Sequence, residues 1–347
     1  MTHVVVIGAG LSGCVTAYEL ACRGVEVTLV EKTPVIGGKV RTYGCKATDK
    51  CQNCGVCLTG GLWDKVSRHP NIRIIARATA GDIAGVPGDF TVSVEDAEGM
   101  RYLSGVHAVV VGTGFESRTT GVSAHMQIEG SRGLMTGAAL EEVMLGRTAT
   151  GVFASPPGSV AFIQCLGSRD KKEGGLYCSR VCCAYSTRAA KVLRSYYPDC
   201  EIVFFYMELQ NVEAGDYFAG LRELDMEFIK CRPLKISGGQ PVVIEYDDPQ
   251  NGITTRKFDL VVLSEGIHTG ADNDHLAEVC GLNQDEDGFL RTVGEGSGVY
   301  VAGCVRTPMT IAQSYADAQA VAGAILLDVG DSPAAAVAAR ESGGGRP

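Results

Sequence analysis

Two parts of the chain repeat the same order of apolar runs and helix-length segments. The first part has apolar runs at 3–7 (HVVVI) and 25–31 (VEVTLVE), and the second has them at 160–165 (VAFIQC) and 201–209 (EIVFFYMEL). A helical pattern separates the runs in each part, most clearly from about 179 to 196. Continuous apolar runs that alternate with helices are typical of parallel strands covered on both faces. The pattern therefore predicts an α/β protein with two domains of the nucleotide-binding type.

The first predicted domain is not continuous in sequence. Runs that would complete its sheet lie far apart, in HAVVVGTGFE (107–116) and GVYVAGC (298–304). Between them, TATGVFASPPGS (148–159) has the composition of a linker. We expect a discontinuous dinucleotide-binding domain at 1–150 with 271–330, an inserted second domain at 151–270 and a flexible tail at 331–347.

The first domain contains a complete dinucleotide-binding fingerprint. Gly8, Gly10 and Gly13 follow the first strand in the order GxGxxG. They permit a tight turn, close approach of the backbone to a pyrophosphate and close packing of helix on strand, while the helix N-terminus faces the phosphates. Glu31 ends the second strand, where its carboxylate can accept hydrogen bonds from the ribose hydroxyls. The spacing predicts a bound dinucleotide.

The segments after the fingerprint indicate that the dinucleotide is FAD. KTPVIGGKVR (32–41) resembles the extension after the ribose-binding acid in thioredoxin reductase-like flavoproteins, which have two dinucleotide-binding domains. GTG (112–114) and the Gly303–Cys304 pair resemble the segments that close their FAD domain, and a helix is expected to begin near Thr310 with its positive end toward the flavin. The expected FAD contacts are Gly8, Gly10, Leu11, Ser12, Gly13, Glu31, Lys32, Gly38, Lys39, Ala80, Gly112, Thr113, Gly114, Gly303, Cys304, Thr310 and Ile311.

Four cysteines stand where the second domain would carry its nucleotide-binding glycine loop. Cys165 ends the apolar run, and Cys178, Cys182 and Cys183 follow in a segment that has no GxGxxG pattern. Cys178 and Cys182 have a spacing that would place both on one face of a helix. Four thiolates at a helix N-terminus suit a [4Fe-4S] cluster, whereas zinc and buried thiols without metal are the alternatives. Nearby cations that would offset negative charge are Arg169, Lys171, Lys172 and Arg180.

The cysteine segment also carries a family resemblance. CLGSRDKKEGGLYCSRVCCAYSTRAAKVL (165–193) resembles the A subunit of heterodisulfide reductase, as do CGVCLTGGLWDKVSRHPNI (54–72) and VYVAGCVRTPMTI (299–311). The resemblance implies FAD and a [4Fe-4S] cluster bound by the four cysteines. Methanogen-type A subunits carry an extra N-terminal domain and CxxCxxCxxxCP segments, and the present sequence shows neither. The resemblance is therefore nearer to the short A-like subunits of sulfur-oxidising microbes, and electron bifurcation is not implied.

The resemblance leads to a functional hypothesis. It implies an oxidoreductase that transfers electrons between FAD and a [4Fe-4S] cluster, within a heterodisulfide reductase-like complex of sulfur metabolism. Its expected partners are B-like and C-like subunits and a second copy of the chain. One competing hypothesis is a self-contained flavin-dependent disulfide reductase that uses the cysteines of 45–57. Another is an FAD-stabilised scaffold or redox sensor without catalysis.

A second group of cysteines follows the Gly37–Gly38 pair. Cys45, Cys51, Cys54 and Cys57 have the spacing C-x5-C-x2-C-x2-C, and CxxCxxC is a common beginning of iron–sulfur sites. Related disulfide reductases carry a redox dithiol at this position. A second metal site, a redox dithiol and thiols with neither task all remain open for this group.

Composition narrows the class of protein further. The chain has 347 residues, 45% hydrophobic residues and a net charge of −9, which is typical of a globular protein and offers little attraction to a nucleic acid. No stretch approaches the ~20 apolar residues of a membrane span, and the apolar start runs directly into the glycine loop, unlike a signal peptide. We therefore expect a cytoplasmic location, where the 14 cysteines serve as ligands or redox thiols rather than as structural disulfides.

Overall fold

The computed structural model describes most of the chain as two compact units. The described residues are 2–117, 132–149, 151–170, 175–210, 221, 224–294 and 296–330. The first unit comprises residues 1–41, 58–115 and 269–347, and the second comprises 42–57 and 116–268. The expected tail, Lys171, Lys172 and most of the helix expected after residue 209 lie outside the described residues.

The first unit is built on a five-stranded parallel sheet. Its strands are β1 (His3–Ile7), β2 (Glu26–Glu31), β3 (Ile72–Ala76), β7 (Ala108–Val111) and β18 (Val299–Val301), in the order β18-β7-β1-β2-β3. An antiparallel meander has the strands β4 (Thr79–Val86), β5 (Asp89–Asp96) and β6 (Gly99–Val106). The helices are α1 (Leu11–Ala21), α2 (Leu62–Arg68), α5 (Asn273–Cys280) and α6 (Ile311–Gly330), and a short hairpin has β16 (Asn283–Gln284) and β17 (Leu290–Arg291).

The apolar run of β1 supplies both faces of this sheet. Val4 and Val6 belong to the core formed with α1 and α6, whereas Val5 and Ile7 belong to the core formed with the meander and α5. Successive side chains of a strand point to opposite faces, so a strand that is covered on both faces must be apolar at every position.

The second unit repeats this architecture. Its parallel sheet has β8 (Leu134–Thr136), β9 (Ser159–Leu166), β10 (Glu201–Phe205), β11 (Glu227–Ile229) and β15 (Leu260–Glu265), in the order β11-β10-β9-β15-β8. The helices are α3 (Gly137–Leu145) and α4 (Cys182–Tyr196), and the antiparallel strands are β12 (Lys235–Ser237), β13 (Val242–Asp248) and β14 (Gly252–Phe258). Phe162 packs toward the helices, while Ala161 and Ile163 pack toward the antiparallel strands.

The two units differ from the predicted division in two places. The second unit begins at residue 116 instead of 151, because β8 pairs in parallel with β15 of the second sheet. It also contains residues 42–57, which the sequence analysis assigned to the FAD domain. No helix in the described part of the chain has both the length and the apolar character needed to cross a membrane.

A buried ion pair attaches residues 42–57 to the second unit. The ammonium of Lys46 donates to the carbonyl of Gly44 at 2.6 Å and to the carboxylate of Glu141 on α3, and both side chains are buried. Burial raises the pKa of Glu141 although Lys46 attracts the carboxylate. Gly44 packs closely on the same helix, because a Cβ there would lie 2.7 Å from the backbone nitrogen of Leu145.

Removing one member of this pair should destabilise the second unit strongly. We expect Lys46→Met to cost about 3–5 kcal/mol, because a buried carboxylate is left without its counter-charge. The double variant Lys46→Met/Glu141→Leu should recover most of that loss, since it buries no charge. Urea denaturation followed by circular dichroism measures both. A single variant as stable as the double one would show that the pair is not a buried charge pair.

Candidate cofactor sites

The glycine loop between β1 and α1 has the geometry of a dinucleotide-binding turn. Gly8 has a φ of +96°, and a Cβ there would lie 2.7 Å from the carbonyl oxygen of Gly112. A Cβ on Gly13 would lie 1.9 Å from the carbonyl oxygen of Gly8. By contrast, a Cβ on Gly10 would meet no atom within 4 Å. Packing therefore requires the first and third glycines, while the second faces open space.

The carboxylate of Glu31 is held at the carboxyl end of β2, next to this turn. It is 7% exposed, and its Oε2 accepts a hydrogen bond from the backbone N–H of Ala9 at 2.8 Å. Its Oε1 accepts hydrogen bonds from the N–H and the hydroxyl of Thr33, both at 2.8 Å. A carboxylate has about four acceptor positions. Its orientation is therefore fixed while capacity for a ribose hydroxyl remains.

The last strand of the sheet brings a distant segment to the same loop. Gly303 follows β18, and a Cβ on it would lie 2.0 Å from Oγ of Ser12 in the first turn of α1. The N–H of Gly303 donates to Asp317 of α6 at 2.7 Å, and Asp317 also pairs with Arg306 at 2.9 Å. The thiol of Cys304 is buried and donates to the carbonyl of Met309 at 3.5 Å.

Helix α6 begins where the sequence predicted. The N–H of Thr310 donates to the side chain of Gln313 at 3.0 Å, and the N–H of Gln313 donates to the hydroxyl of Thr310 at 3.2 Å. This reciprocal pair is a capping box, which satisfies backbone N–H groups at a helix start. Ile311 is accordingly the first helical residue.

The other predicted FAD contacts are spread around the carboxyl ends of the same strands. Leu11 and Ser12 lie at the start of α1, and Gly112, Thr113 and Gly114 directly follow β7. Gly38 is also next to the loop, because a Cβ on it would lie 2.9 Å from Cα of Gly10. Farther out, Ala80 lies on β4, Lys32 pairs at 3.5 Å with the exposed Asp272, and Lys39 lies 5.4 Å from the centre of the Phe115 ring.

The four predicted ligand cysteines lie at the corresponding end of the second sheet. Cys165 is the penultimate residue of β9, and Cys182 and Cys183 are the first two residues of α4. Cys178 lies in the connecting segment. The helix predicted from about residue 179 to 196 is present, but it begins at Cys182, and the prediction that Cys178 and Cys182 share one helical face is wrong. Arg180 has a φ of +64°, a left-handed conformation that an α-helix cannot contain.

The four thiols nevertheless influence one another. The thiol of Cys182 hydrogen bonds with the sulfurs of Cys165 and Cys183, which raises the pKa of Cys182 itself. The same bonds lower the pKa of Cys165 and lower that of Cys183 to about 7. Burial raises the pKa of Cys178, and the charges of Cys165 and Cys183 act in the same direction. All four sulfurs thus belong to one electrostatic neighbourhood.

The connection from β9 to α4 has an unusual backbone. Cys165, Arg169 and Arg180 all have positive φ, between +56° and +64°. Each such non-glycine residue costs on the order of 1–3 kcal/mol, and residues of this kind cluster at ligand clamps and active sites. A hydrogen bond of 2.6 Å between the hydroxyls of Ser168 and Ser179 joins the two ends of the connection. The strain is held in place by this pairing.

Arginine side chains surround the connection. The Nη2 of Arg169 donates to Glu208 at 3.0 Å. The hydrogen bonds with Cys182 are the main cause of the lowered pKa of Cys165 and Cys183, and the positive charge of Arg169 acts in the same direction. Arg232 donates to the carbonyl of Cys165 at 3.3 Å. Among the cations predicted from sequence, Arg180 is exposed and contributes its backbone N–H, which donates to the Cys178 sulfur at 3.3 Å.

The four thiols suit an iron–sulfur cluster by their chemistry rather than by a finished coordination geometry. Within the described ranges no three His, Cys, Asp or Glu side chains are arranged to hold a metal ion. The chemistry is favourable, because the thiols of Cys165, Cys182 and Cys183 interact at the start of α4, which has neither a side-chain cap nor an acidic residue in its first turn. The partial positive charge of a helix N-terminus stabilises thiolates.

The second cysteine group is attached to the helix that carries the first. Arg188 of α4 is 5% exposed and donates to the carbonyls of Gln52 and Asn53 at 2.8 and 2.9 Å. The turn between Cys51 and Cys54 is therefore anchored to α4. Of the group, Cys45, Cys51 and Cys57 are exposed and Cys54 is half-buried.

Sequence reasoning did not find several of these residues. Their contacts join residues far apart in sequence, and a single charged residue does not reveal such a contact in the local pattern. The residues are Asp317, Glu208, Arg188 and the Lys46–Glu141 pair. Glu208 directly follows the apolar run 202–207, three residues beyond the end of β10, which is the one feature that could have indicated it.

Comparison with known proteins defines the class of the chain first. The family model described as an NAD(P)-binding Rossmann-like domain matches residues 6–61. The fold is similar to thioredoxin reductase of T. acidophilum, with a TM-score of 0.65 and 17% identity over 95% of this chain and 99% of that one. It is also similar to thioredoxin reductase of Lactococcus lactis, with a TM-score of 0.62 and 16% identity over the same shares. The predicted fold class, the α/β fold of thioredoxin reductase-like proteins, is confirmed.

Relatives by sequence make the resemblance more particular. The chain is 26% identical to the second iron-sulfur A subunit of CoB–CoM heterodisulfide reductase from Methanopyrus kandleri, over 92% of this chain and 63% of the relative. It is 27% identical to the A subunit of the ferredoxin/F420H2-dependent CoB-CoM heterodisulfide reductase from Methanosarcina acetivorans, over 94% and 53%. The chain is thus similar to the A subunits of heterodisulfide reductases, as predicted, and spans between half and two thirds of these oxidoreductases.

Proposed function

We propose that the chain is an FAD- and [4Fe-4S]-containing electron-transfer subunit of a heterodisulfide reductase-like complex in sulfur metabolism. The proposal depends on one observation. The first unit has a complete dinucleotide-binding loop, whereas four cysteines take the place of that loop in the second unit. In the first unit residues 8–10 connect strand to helix, whereas in the second unit the connection is residues 167–181. The second unit therefore lacks the short glycine turn that would hold a nicotinamide dinucleotide.

The residues of the first unit supply the FAD site. Gly10 and the N-terminus of α1 would face the pyrophosphate, Glu31 would accept the ribose, and the N-terminus of α6 would face the flavin. When bound, FAD accepts an electron pair and releases electrons singly, which couples two-electron donors to a one-electron centre.

The residues of the second unit supply the cluster site. Cys165, Cys178, Cys182 and Cys183 would be its ligands, and the relative from Methanopyrus kandleri is itself named an iron-sulfur protein. Strand β9 and helix α4 hold three of the four thiols on regular elements, which positions ligands more accurately than loops do. The net charge of −9 favours protein partners over nucleic acid, and B-like and C-like subunits together with a second copy are the proposed partners.

Anaerobic purification tests this function. We expect about one FAD and about four iron and four sulfide per chain, with an electron paramagnetic resonance signal after reduction. NADPH alone should reduce the flavin slowly. A yellow, iron-free protein that NADPH bleaches rapidly would instead be an ordinary pyridine-nucleotide reductase.

The exposure of Cys45, Cys51 and Cys57 favours one competing function, a flavin-dependent disulfide reductase. Such an enzyme would turn over disulfides without the Cys165 group. Thiol-dependent turnover that survives Cys182→Ala and is lost in Cys51→Ala would establish it.

A further inference from the structure

The guanidinium of Arg169 is only partly used by the protein. Its Nη2 is paired with Glu208 at 3.0 Å, but its Nη1 is buried and has no hydrogen-bond partner among the described residues. A buried donor left without a partner costs about 1–3 kcal/mol, and more when it is charged. Such an atom in a folded protein indicates a missing acceptor.

The surroundings of Arg169 identify the kind of acceptor. Its ion-pair partner Glu208 is in contact with Cys183, and the residue that accepts its backbone N–H directly precedes Cys178. Its backbone has a φ of +56°, a strained conformation for arginine, and its N–H donates to the carbonyl of Tyr177 at 3.2 Å. Strained backbone therefore accompanies the placement of this cation beside the thiols, as it does at many ligand sites.

Glu208 determines which way the guanidinium can turn. Its carboxylate holds Nη2, and its backbone carbonyl lies 3.9 Å from the sulfur of Cys183. A guanidinium is planar with donors in a fixed fork, so fixing one nitrogen also fixes the direction of the others. The ion pair therefore orients Arg169 within the cysteine site.

We propose that Arg169 is the cationic partner of the cluster and sets its reduction potential. The inference rests on the proposed function, because it requires a cluster at these cysteines. Nη1 would donate an N–H···S hydrogen bond to a thiolate or an inorganic sulfide. Reduction adds one negative charge to the cluster, so a fixed positive charge stabilises the reduced form more than the oxidised form. Hydrogen bonds to the sulfurs and local charge are known determinants of cluster potentials.

Redox titration of Arg169→Gln tests the proposal, with Arg180→Gln as the matched control. Arg180 belongs to the same connection and carries the same charge, but its side chain is exposed. We expect Arg169→Gln to lower the equilibrium constant for reduction of the cluster about tenfold, which lowers its reduction potential by ~59 mV for one electron. Arg180→Gln should shift the potential much less. Equal potentials for Arg169→Gln and the native protein, or equal shifts in both variants, would overturn the proposal.

The variant Arg169→Lys covers the case in which Arg169→Gln retains no iron. Full iron content in Arg169→Lys would then support the role of the charge. An iron-free but folded Arg169→Lys would overturn it and leave Arg169 as a residue that only shapes the connection. If the native protein itself holds no iron, the proposed function fails, whereas native iron with unshifted variants refutes the role of Arg169 alone.

Discussion

Replacing Cys182 by alanine should abolish the cluster while leaving the flavin in place. Cys182 is 1% exposed, begins α4, and its thiol is the one that contacts the sulfurs of both Cys165 and Cys183. Loss of this central ligand removes one of four thiolates, and we expect iron and sulfide to fall from about four per chain to near zero. Iron, sulfide and flavin analysis of protein purified without oxygen measures the effect.

Cys200→Ala is the matched control for this variant. Cys200 is also buried in the second unit, where its thiol donates to the carbonyl of Glu201 at 3.5 Å, and burial raises its pKa to about 11. The control should keep both iron and flavin. A Cys182→Ala protein with full iron content would contradict the ligand assignment, and loss of iron in both variants would show that any cavity in this unit releases the cluster.

The sequence predicted the fold well where the signal is local. The runs HVVVI and VAFIQC indicated parallel strands because nearly every residue in them is apolar, and each became a strand buried on both faces. The glycine loop was equally clear, since Gly8 and Gly13 are required by contacts within a few residues or at the next strand. The start of α6 near Thr310 was also predicted, and the structure shows that a reciprocal Thr310–Gln313 pair caps it locally.

The prediction was weaker where long-range contacts decide the structure. Residues 42–57 follow the FAD extension in sequence, but Arg188 and the Lys46–Glu141 pair attach them to the second unit. The spacing of Cys178 and Cys182 indicated a helix, whereas Arg180 adopts a left-handed conformation that spacing does not reveal. The local pattern thus identified the four cysteines, and only the structure shows how the chain between them runs.

Gly10→Ala should separate the binding of FAD from the stability of the fold. Gly10 has a φ of −72°, which alanine adopts readily, and a Cβ there would meet no protein atom within 4 Å. The added methyl group would instead occupy space that the pyrophosphate needs. We expect FAD to bind about 10- to 100-fold more weakly, equivalent to about 1.4–2.8 kcal/mol, with an unchanged melting temperature of the flavin-free protein.

Two glycine variants complete this experiment. Gly13→Ala should lose both flavin and stability, because its Cβ would lie 1.9 Å from the carbonyl oxygen of Gly8. Gly323 lies within α6, and a Cβ on it would meet no atom within 4 Å. Gly323→Ala should therefore keep full flavin affinity and stabilise the helix by roughly 0.5–1 kcal/mol. Fluorescence titration of the flavin-free proteins and thermal denaturation give the two readouts. Native FAD affinity in Gly10→Ala would mean that the dinucleotide does not pass over this turn, and the assignment of the first unit as the FAD site would have to be abandoned.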